Sequence, residues 1–188
     1  INSPGIINFA GGTTVCYATN NDAVDSNYGR SGAITISGGN LFAYSGAGGA
    51  EEGIDCDNNS YITVTGGIAI SAGGSQGGGG MGSSSSSIGS ASQGYYLGSS
   101  PSSYSTTYYY TLCNTSGEAI CTYRFEKNVS NSLSLLTAPN LGTGSITVKQ
   151  GTSAPTSASI IVKSTTDAPV FWITPEVSTT STAATITA

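Results

Sequence analysis

The chain has 188 residues, a formal charge of −5 and only 8% charged residues, against roughly 25% in an average globular protein. Six of its ten carboxylates lie between Asp22 and Asp57 with a single base, Arg30, while the remaining four acids and four bases balance. A surface charged in this way repels phosphate backbones, which excludes nucleic acid as a partner. No apolar run reaches the roughly 18–20 residues of a membrane span. The absence of histidine and of any C-x-x-C pair argues against zinc.

The size suits one domain, or one and a fraction. Glycine (27 residues), serine, threonine, β-branched residues and eleven tyrosines dominate, with no helical periodicity. This is an all-β composition. Low charge, abundant Ser and Thr and few cysteines resemble secreted bacterial surface proteins, placing the chain outside the cell or at its surface. No signal peptide is present, and a chain opening so close to a repeat phrase reads as a processed or excised form.

In chain order, residues 1–72 carry a repeat. Ile7-Asn8-Phe9-Ala10-Gly11-Gly12 returns as Ile34-Thr35-Ile36-Ser37-Gly38-Gly39 and as Ile62-Thr63-Val64-Thr65-Gly66-Gly67, at offsets of 27 and 28 residues. Each phrase is an alternating strand ending in a glycine turn, and a near-constant period of this size marks a stacked architecture. A second extended piece follows each turn: Thr14–Tyr17, Leu41–Tyr44 and Ala69–Ala72. In register, Ile7, Ile34 and Ile62 form one inward column, and Val15, Phe42 and Ile70 form another. A third strand supplies Val24 and Ile54, and alternation turns Asp25 and Asp55 outward. Three strands per repeat predict a parallel β-helix of about three coils, with a β-sandwich as the alternative. Its first coil would be an unpaired sheet edge that invites self-association.

Residues 73–103 are rich in Gly and Ser and read as a loop or linker; no Gly-Lys-Ser/Thr follows to make a phosphate loop. Residues 104–188 read as an antiparallel β-rich region packed on or next to the helix. Its strands are expected at Tyr108–Cys113, Ala119–Phe125, Leu133–Leu136, Ser145–Lys149, Ile160–Lys163 and Val170–Ile173, and residues 176–188 form a last strand or fray. Cys113 and Cys121 flank a hairpin turn at Asn114–Gly117, consistent with either a disulfide or two buried thiols. Cys16 and Cys56 read as buried thiols.

The acids follow the repeat. Asp22-Ala23-Val24-Asp25 is echoed 30 residues later by Glu52-Gly53-Ile54-Asp55, so stacking sets carboxylate over carboxylate. At about 4.8 Å one such pair repels by about 0.9 kcal/mol in water and about 3.5 kcal/mol at an effective dielectric of 20. Several pairs would consume much of a stability of about 5–15 kcal/mol. One arginine cannot neutralise six acids, whereas calcium takes six to eight oxygen ligands in flexible geometry. The candidate ligands are Asp22, Asp25, Glu51, Glu52, Asp55 and Asp57, with carbonyls near Asn20, Asn21, Asn58 and Asn59. A solvated acidic turn whose charges splay apart is the competing reading.

The run Asp22–Ser26, Ile34–Gly39, Glu51–Asp57 and Ile62–Gly67, with Met81–Ser86 and the Tyr108–Lys127 hairpin downstream, resembles a bacterial family. It is that of calcium-binding, polysaccharide lyase-like β-helix proteins that bind carbohydrate. The resemblance covers roughly residues 7–150 and implies a right-handed parallel β-helix, bound calcium and binding of plant polysaccharides, acidic pectic chains among them. Family members carry further coils ahead of this point.

Three functions fit. In a non-catalytic carbohydrate-binding protein, calcium on the acidic ledge bridges to uronate carboxylates, and Tyr28 and Arg30, in a turn nearby, contact the glycan. Tyr17 and Tyr44 align in the repeat and read as core, as does Trp172 between Phe171 and Ile173. A polysaccharide lyase needs a base beside its cation; Arg30 is the sole basic residue near the acids, and arginine resists deprotonation. An adhesin or structural surface protein without a specific glycan is the third. The expectation is binding without catalysis.

Overall fold

The computed structural model describes residues 1–27, 33–46, 51–56, 61–73, 87–130, 132–153, 159–163, 170–173 and 181–188. No described residue is helical. The strands are β1 (Asn2–Ser3), β2 (Ile7–Ala18), β3 (Val24–Ser26), β4 (Ile34–Ser45), β5 (Ile54–Cys56), β6 (Tyr61–Gly73), β7 (Ser87–Ala91), β8 (Tyr95–Gly98), β9 (Ser103–Tyr104), β10 (Tyr109–Cys113), β11 (Ala119–Arg124), β12 (Val129–Ser130), β13 (Leu133–Thr137), β14 (Ser145–Gly151), β15 (Ser159–Lys163), β16 (Val170–Ile173) and β17 (Ser181–Thr187). They build several sheets, none closed into a barrel.

The repeat lies in two of them. A small sheet runs β1-β3-β5, wholly parallel. A larger mixed sheet runs β2-β4-β6-β13-β8, in which β2, β4 and β6 are parallel. The phrases are in register: Ile7 sits beside Ile34 and Ile34 beside Ile62, while Val15, Phe42 and Ile70 likewise align. Each long strand bends at its Gly-Gly pair, where the second glycine has positive φ (70° at Gly12, 75° at Gly39, 81° at Gly67). The bend also needs close backbone approach. A β-carbon on Gly39 would lie 2.5 Å from the Gly11 carbonyl carbon and from the Gly12 oxygen, and one on Gly67 would lie 2.7 Å from the Gly39 oxygen.

That corner changes which way the side chains point. Ile34, Ile36, Leu41 and Ala43 all enter one core, shared with Val24, Ile54, Ile62 and Val64. The inward set is therefore even-numbered before the corner and odd-numbered after it. The extra residues there shift the alternation, as a bulge does. The column Val15–Phe42–Ile70, expected inside with the isoleucines, instead faces a second core. In that core Phe42, Tyr44 and Ile70 meet Tyr104, Tyr110, Tyr123 and Phe125, with Val15 packed at its margin. Phe42 and Phe125 have ring centroids 5.3 Å apart, and Tyr44 and Phe125 meet edge-on at 5.2 Å.

The other wall of this second core is an antiparallel sheet, β15-β16-β11-β10-β14-β17. Its strands fall within a residue or two of the expected ones, and β17 shows that the last residues pair rather than fray. Leu133–Thr137 departs from the expectation, because it leaves the antiparallel region and pairs with β6. The Gly/Ser-rich span read as a linker also supplies strands: β7 runs parallel to the first arm of β6, and β8 pairs with β13. All four cysteines are buried free thiols.

Gly39→Ala should cost about 2 kcal/mol or more, combining a strained φ with a clash against backbone that cannot yield. Gly12→Ala, with an equally positive φ but nothing within 4 Å of the added carbon, should cost only about 1 kcal/mol. Urea unfolding of the two variants measures the difference.

Candidate metal centre

The site is strung between the turns entering β3 and β5. Ala23 and Val24 donate backbone hydrogen bonds to the Glu52 and Gly53 carbonyls, each at 3.1 Å. The ladder then places Val24 beside Ile54, Asp25 beside Asp55 and Ser26 beside Cys56. Because these strands are parallel and unshifted, the two aspartates are neighbours at the interstrand distance, about 4.8 Å. Asp22 is drawn in from the preceding turn, where its Oδ1 accepts the Glu52 N–H at 2.5 Å.

The result is a group of three carboxylates, Asp22, Asp25 and Asp55, each with an oxygen within 4.8 Å of the others. Alternation predicted that Asp25 and Asp55 face solvent. They are instead 6% and 7% exposed, and Glu52 only 3%. In strands as short as β3 and β5 every residue is buried, and the Asn2 side chain, from β1, lies against Asp25. Asp22 is the partly exposed member of the three.

Neutral donors surround Asp25. The amides of Asn2, on the adjoining β1, and of Asn27 both donate to Asp25 Oδ2, Asn27 at 3.0 Å. Asn2 was not anticipated, although its phrase Asn2-Ser3 lines up with Asp25-Ser26, and that alignment was the signal available. Glu52 shows what the crowding does. Burial, then the charges of Asp55 and Asp22 and a hydrogen bond shared with Asp22, push its carboxyl up to about 8. In the metal-free protein this side chain is therefore largely protonated at neutral pH.

Of the other expected ligands, Glu51 is half-buried in the same turn but is not among the three grouped carboxylates. Asp57, together with Tyr28 and Arg30, lies outside the described residues, as do Asn58 and Asn59. Trp172 sits on β16 beside Thr122, and its side chain is likewise outside them. Tyr44 is buried in the aromatic core and donates to Glu126 at 3.2 Å, with Tyr17 against it at a centroid distance of 4.6 Å.

An open groove of about 510 Å³ lies elsewhere, lined by Gln93, Tyr95, Tyr96 and Leu97 with Thr143 opposite. Its tyrosines are half-buried, and the Gln93 amide is held by the Gly67 carbonyl and the Thr137 hydroxyl, both at 2.8 Å. Sequence reading missed it because composition assigned these residues to a linker.

The grouped side chains offer carboxylate oxygens alone, which is the chemistry of a hard divalent cation. The grouped aspartates could hold a metal ion. Comparison with family models, with curated proteins and with solved structures finds no match.

The Glu52 carboxyl carries a pH signature in the metal-free protein. Its pKa is higher folded than unfolded, so folding binds a proton there, and stability falls as pH rises from about 4.5 to about 8. Glu52→Gln should remove much of that fall, raising the melting temperature at pH 8 by several degrees while leaving pH 4.5 nearly unchanged. Thermal unfolding in chelator at the two pH values measures this.

Proposed function

We propose that this chain binds calcium through Asp22, Asp25 and Asp55, and in that state binds an acidic plant polysaccharide without cleaving it. The observation that carries the reading is the approach of three carboxylates to within 4.8 Å of one another, two of them almost wholly buried. Like charges held so closely in a low-dielectric setting need a counter-ion or protons. Glu51, Glu52 and Asp57 are the further carboxylates of the site, and Tyr28 and Arg30 are the proposed glycan contacts. The parallel ladders β2-β4-β6 and β1-β3-β5 are, in this reading, two walls of successive coils of a right-handed parallel β-helix, as in the lyase-like family the sequence resembles.

Calcium, when bound, neutralises the ledge and offers oxygen-seeking coordination to a uronate carboxylate. Burial of Asp25 and Asp55 makes their first task structural, which is to fix the turns 22–25 and 51–55 against each other. Asp22, being partly exposed, is the side from which a glycan approaches. The absence of histidine supports binding rather than β-elimination. So does the commitment of Arg124, which donates to the Thr106 carbonyl at 2.9 Å and the Tyr109 hydroxyl at 3.3 Å. The protein acts at the bacterial cell surface or outside the cell.

Millimolar calcium added to chelator-treated protein should raise the melting temperature, since a ligand that binds only the folded state stabilises it. Asp55→Asn should cut that rise at least by half. An unchanged curve would remove the metal reading. Chelator should also release the protein from polygalacturonate. Retention that survives chelator would move the glycan to aromatic stacking on a neutral chain, with the Tyr95–Tyr96 groove as the place to look. Appearance of unsaturated uronate, followed by ultraviolet absorbance, would make the protein a lyase.

A further inference from the structure

Away from the acidic centre, one exposed turn carries a pattern that the binding reading does not use. The chain holds three Asn-x-Ser phrases with no proline in the middle, at Asn58, Asn114 and Asn128. In exported proteins that phrase is the acceptor for an N-linked glycan, joined to the asparagine side-chain nitrogen. In a chain so rich in serine the phrase arises readily by chance, so the surroundings of each asparagine decide.

Asn114 is unsuited. It is buried, its Nδ2 donates to Glu118 Oε2 at 2.8 Å, and its Oδ1 accepts the Ser116 and Glu118 N–H groups at 3.0 and 2.9 Å. Both ends of the amide are spent on the turn between β10 and β11. Asn58 lies outside the described residues. Asn128 is the opposite of Asn114. It is exposed, in the turn between β11 and β12. Val129 beside it is buried in the aromatic core, and β12 pairs Ser130 with Ser103. Alternation around Val129 therefore sends Asn128 and the exposed Ser130 outward together.

The polar contact of Asn128 uses the oxygen: Oδ1 accepts the Thr106 N–H at 2.9 Å, and among the described residues Nδ2 donates to none. An N-linked sugar replaces one hydrogen on that nitrogen and leaves the amide oxygen in place, so the modified side chain keeps its bond to Thr106. Glu126 adds specificity. Bacterial transferases of this class also hold their acceptor by an acid two residues before the asparagine, a charge-assisted contact. Only Asn128 has one, for Leu112 and Cys56 stand at the corresponding places before Asn114 and Asn58. In the finished fold Glu126 is half-buried and accepts the Tyr44 hydroxyl at 3.2 Å. The acid is thus available as the chain emerges, before the aromatic core closes on it.

We infer that Asn128 is the acceptor of an N-linked glycan, added as the chain is exported. The donor is an oligosaccharide carried on a lipid diphosphate, and a membrane-bound oligosaccharyltransferase moves it. A bond forms between Asn128 Nδ2 and C1 of the first sugar while the bond from C1 to the diphosphate oxygen breaks. The nitrogen gives up one proton, the lipid diphosphate leaves with the bonding pair, and nothing is oxidised or reduced. The inference rests on the exported location proposed above and is independent of the metal and of any polysaccharide held there.

The test produces the 188-residue chain with a cleavable export signal in a bacterium that holds the transferase and its lipid-linked donor. A short acid-x-Asn-x-Thr peptide appended after Ala188 serves as an internal control, since it is modified only where export and transfer both work. Intact and peptide mass spectrometry should find one glycan on the appended peptide and one on Asn128, with Asn58 and Asn114 bare. Asn128→Gln and Ser130→Ala should each lose the mass of one glycan, and Glu126→Gln should lose most of it. Because Asn128 and Ser130 are exposed, the first two variants should keep the wild-type circular dichroism spectrum. A chain modified on the appended peptide and bare at Asn128 would overturn the inference. So would a glycan on Asn58 or Asn114 in its place, or occupancy of Asn128 that Ser130→Ala leaves unchanged.

Discussion

A backbone that must pass its neighbour at the interstrand distance, with like residue over like, governs this molecule. Parallel in-register pairing stacks isoleucine on isoleucine, which buries a column cheaply, and glycine on glycine, which lets the corners nest. The same rule admits no choice about the acids. Once Val24 lies beside Ile54, Asp25 must lie beside Asp55, and the electrostatic cost comes with the apolar gain. The glycine corners and the carboxylate group are thus two consequences of one register, the first making the stack possible and the second making it dependent on solution conditions.

Much of this was legible in the residues. The thrice-repeated phrase located the long strands and their pairing, because a period-two pattern ending in Gly-Gly has few other uses. The antiparallel strands were legible for a related reason, their apolar alternation being punctuated by Asn, Gly and Pro. What escaped was the direction in which particular side chains point. Phe42 has the parity of Ile34, so uninterrupted alternation puts both inside; the corner at Gly38-Gly39 inverts the phase, and Phe42 looks the other way. Asp25 fell to a different limit. Alternation decides only between the two faces of a strand and does not say whether the second face is wet, and here Asn2 and the Glu52 turn cover it.

The burial of these acids also separates two roles that sequence reading had merged. A carboxylate ledge facing solvent offers a cation to a ligand, whereas a carboxylate group closed over by its own turns uses the cation to hold those turns. Glu52 belongs to the second situation: its proton does for one side chain what a metal would do for the group. Protons and a divalent ion bound at such a centre would act in opposition, since occupancy by one lessens the need for the other.

The second core has a bearing on how the chain acquires its structure. Phe42 and Tyr44 pack on Tyr104, Tyr123 and Phe125, groups some 60–80 residues further along. Repeats that contact only their neighbours fold by local propagation, and the isoleucine columns alone would allow that here. The aromatic seam does not, because one face of the long strands has no partner until the antiparallel sheet is made. Folding must wait for contacts distant in sequence, which is the slow regime for β proteins. During synthesis the repeat emerges well before the strands that complete it, with Phe42 and Ile70 uncovered in the interval.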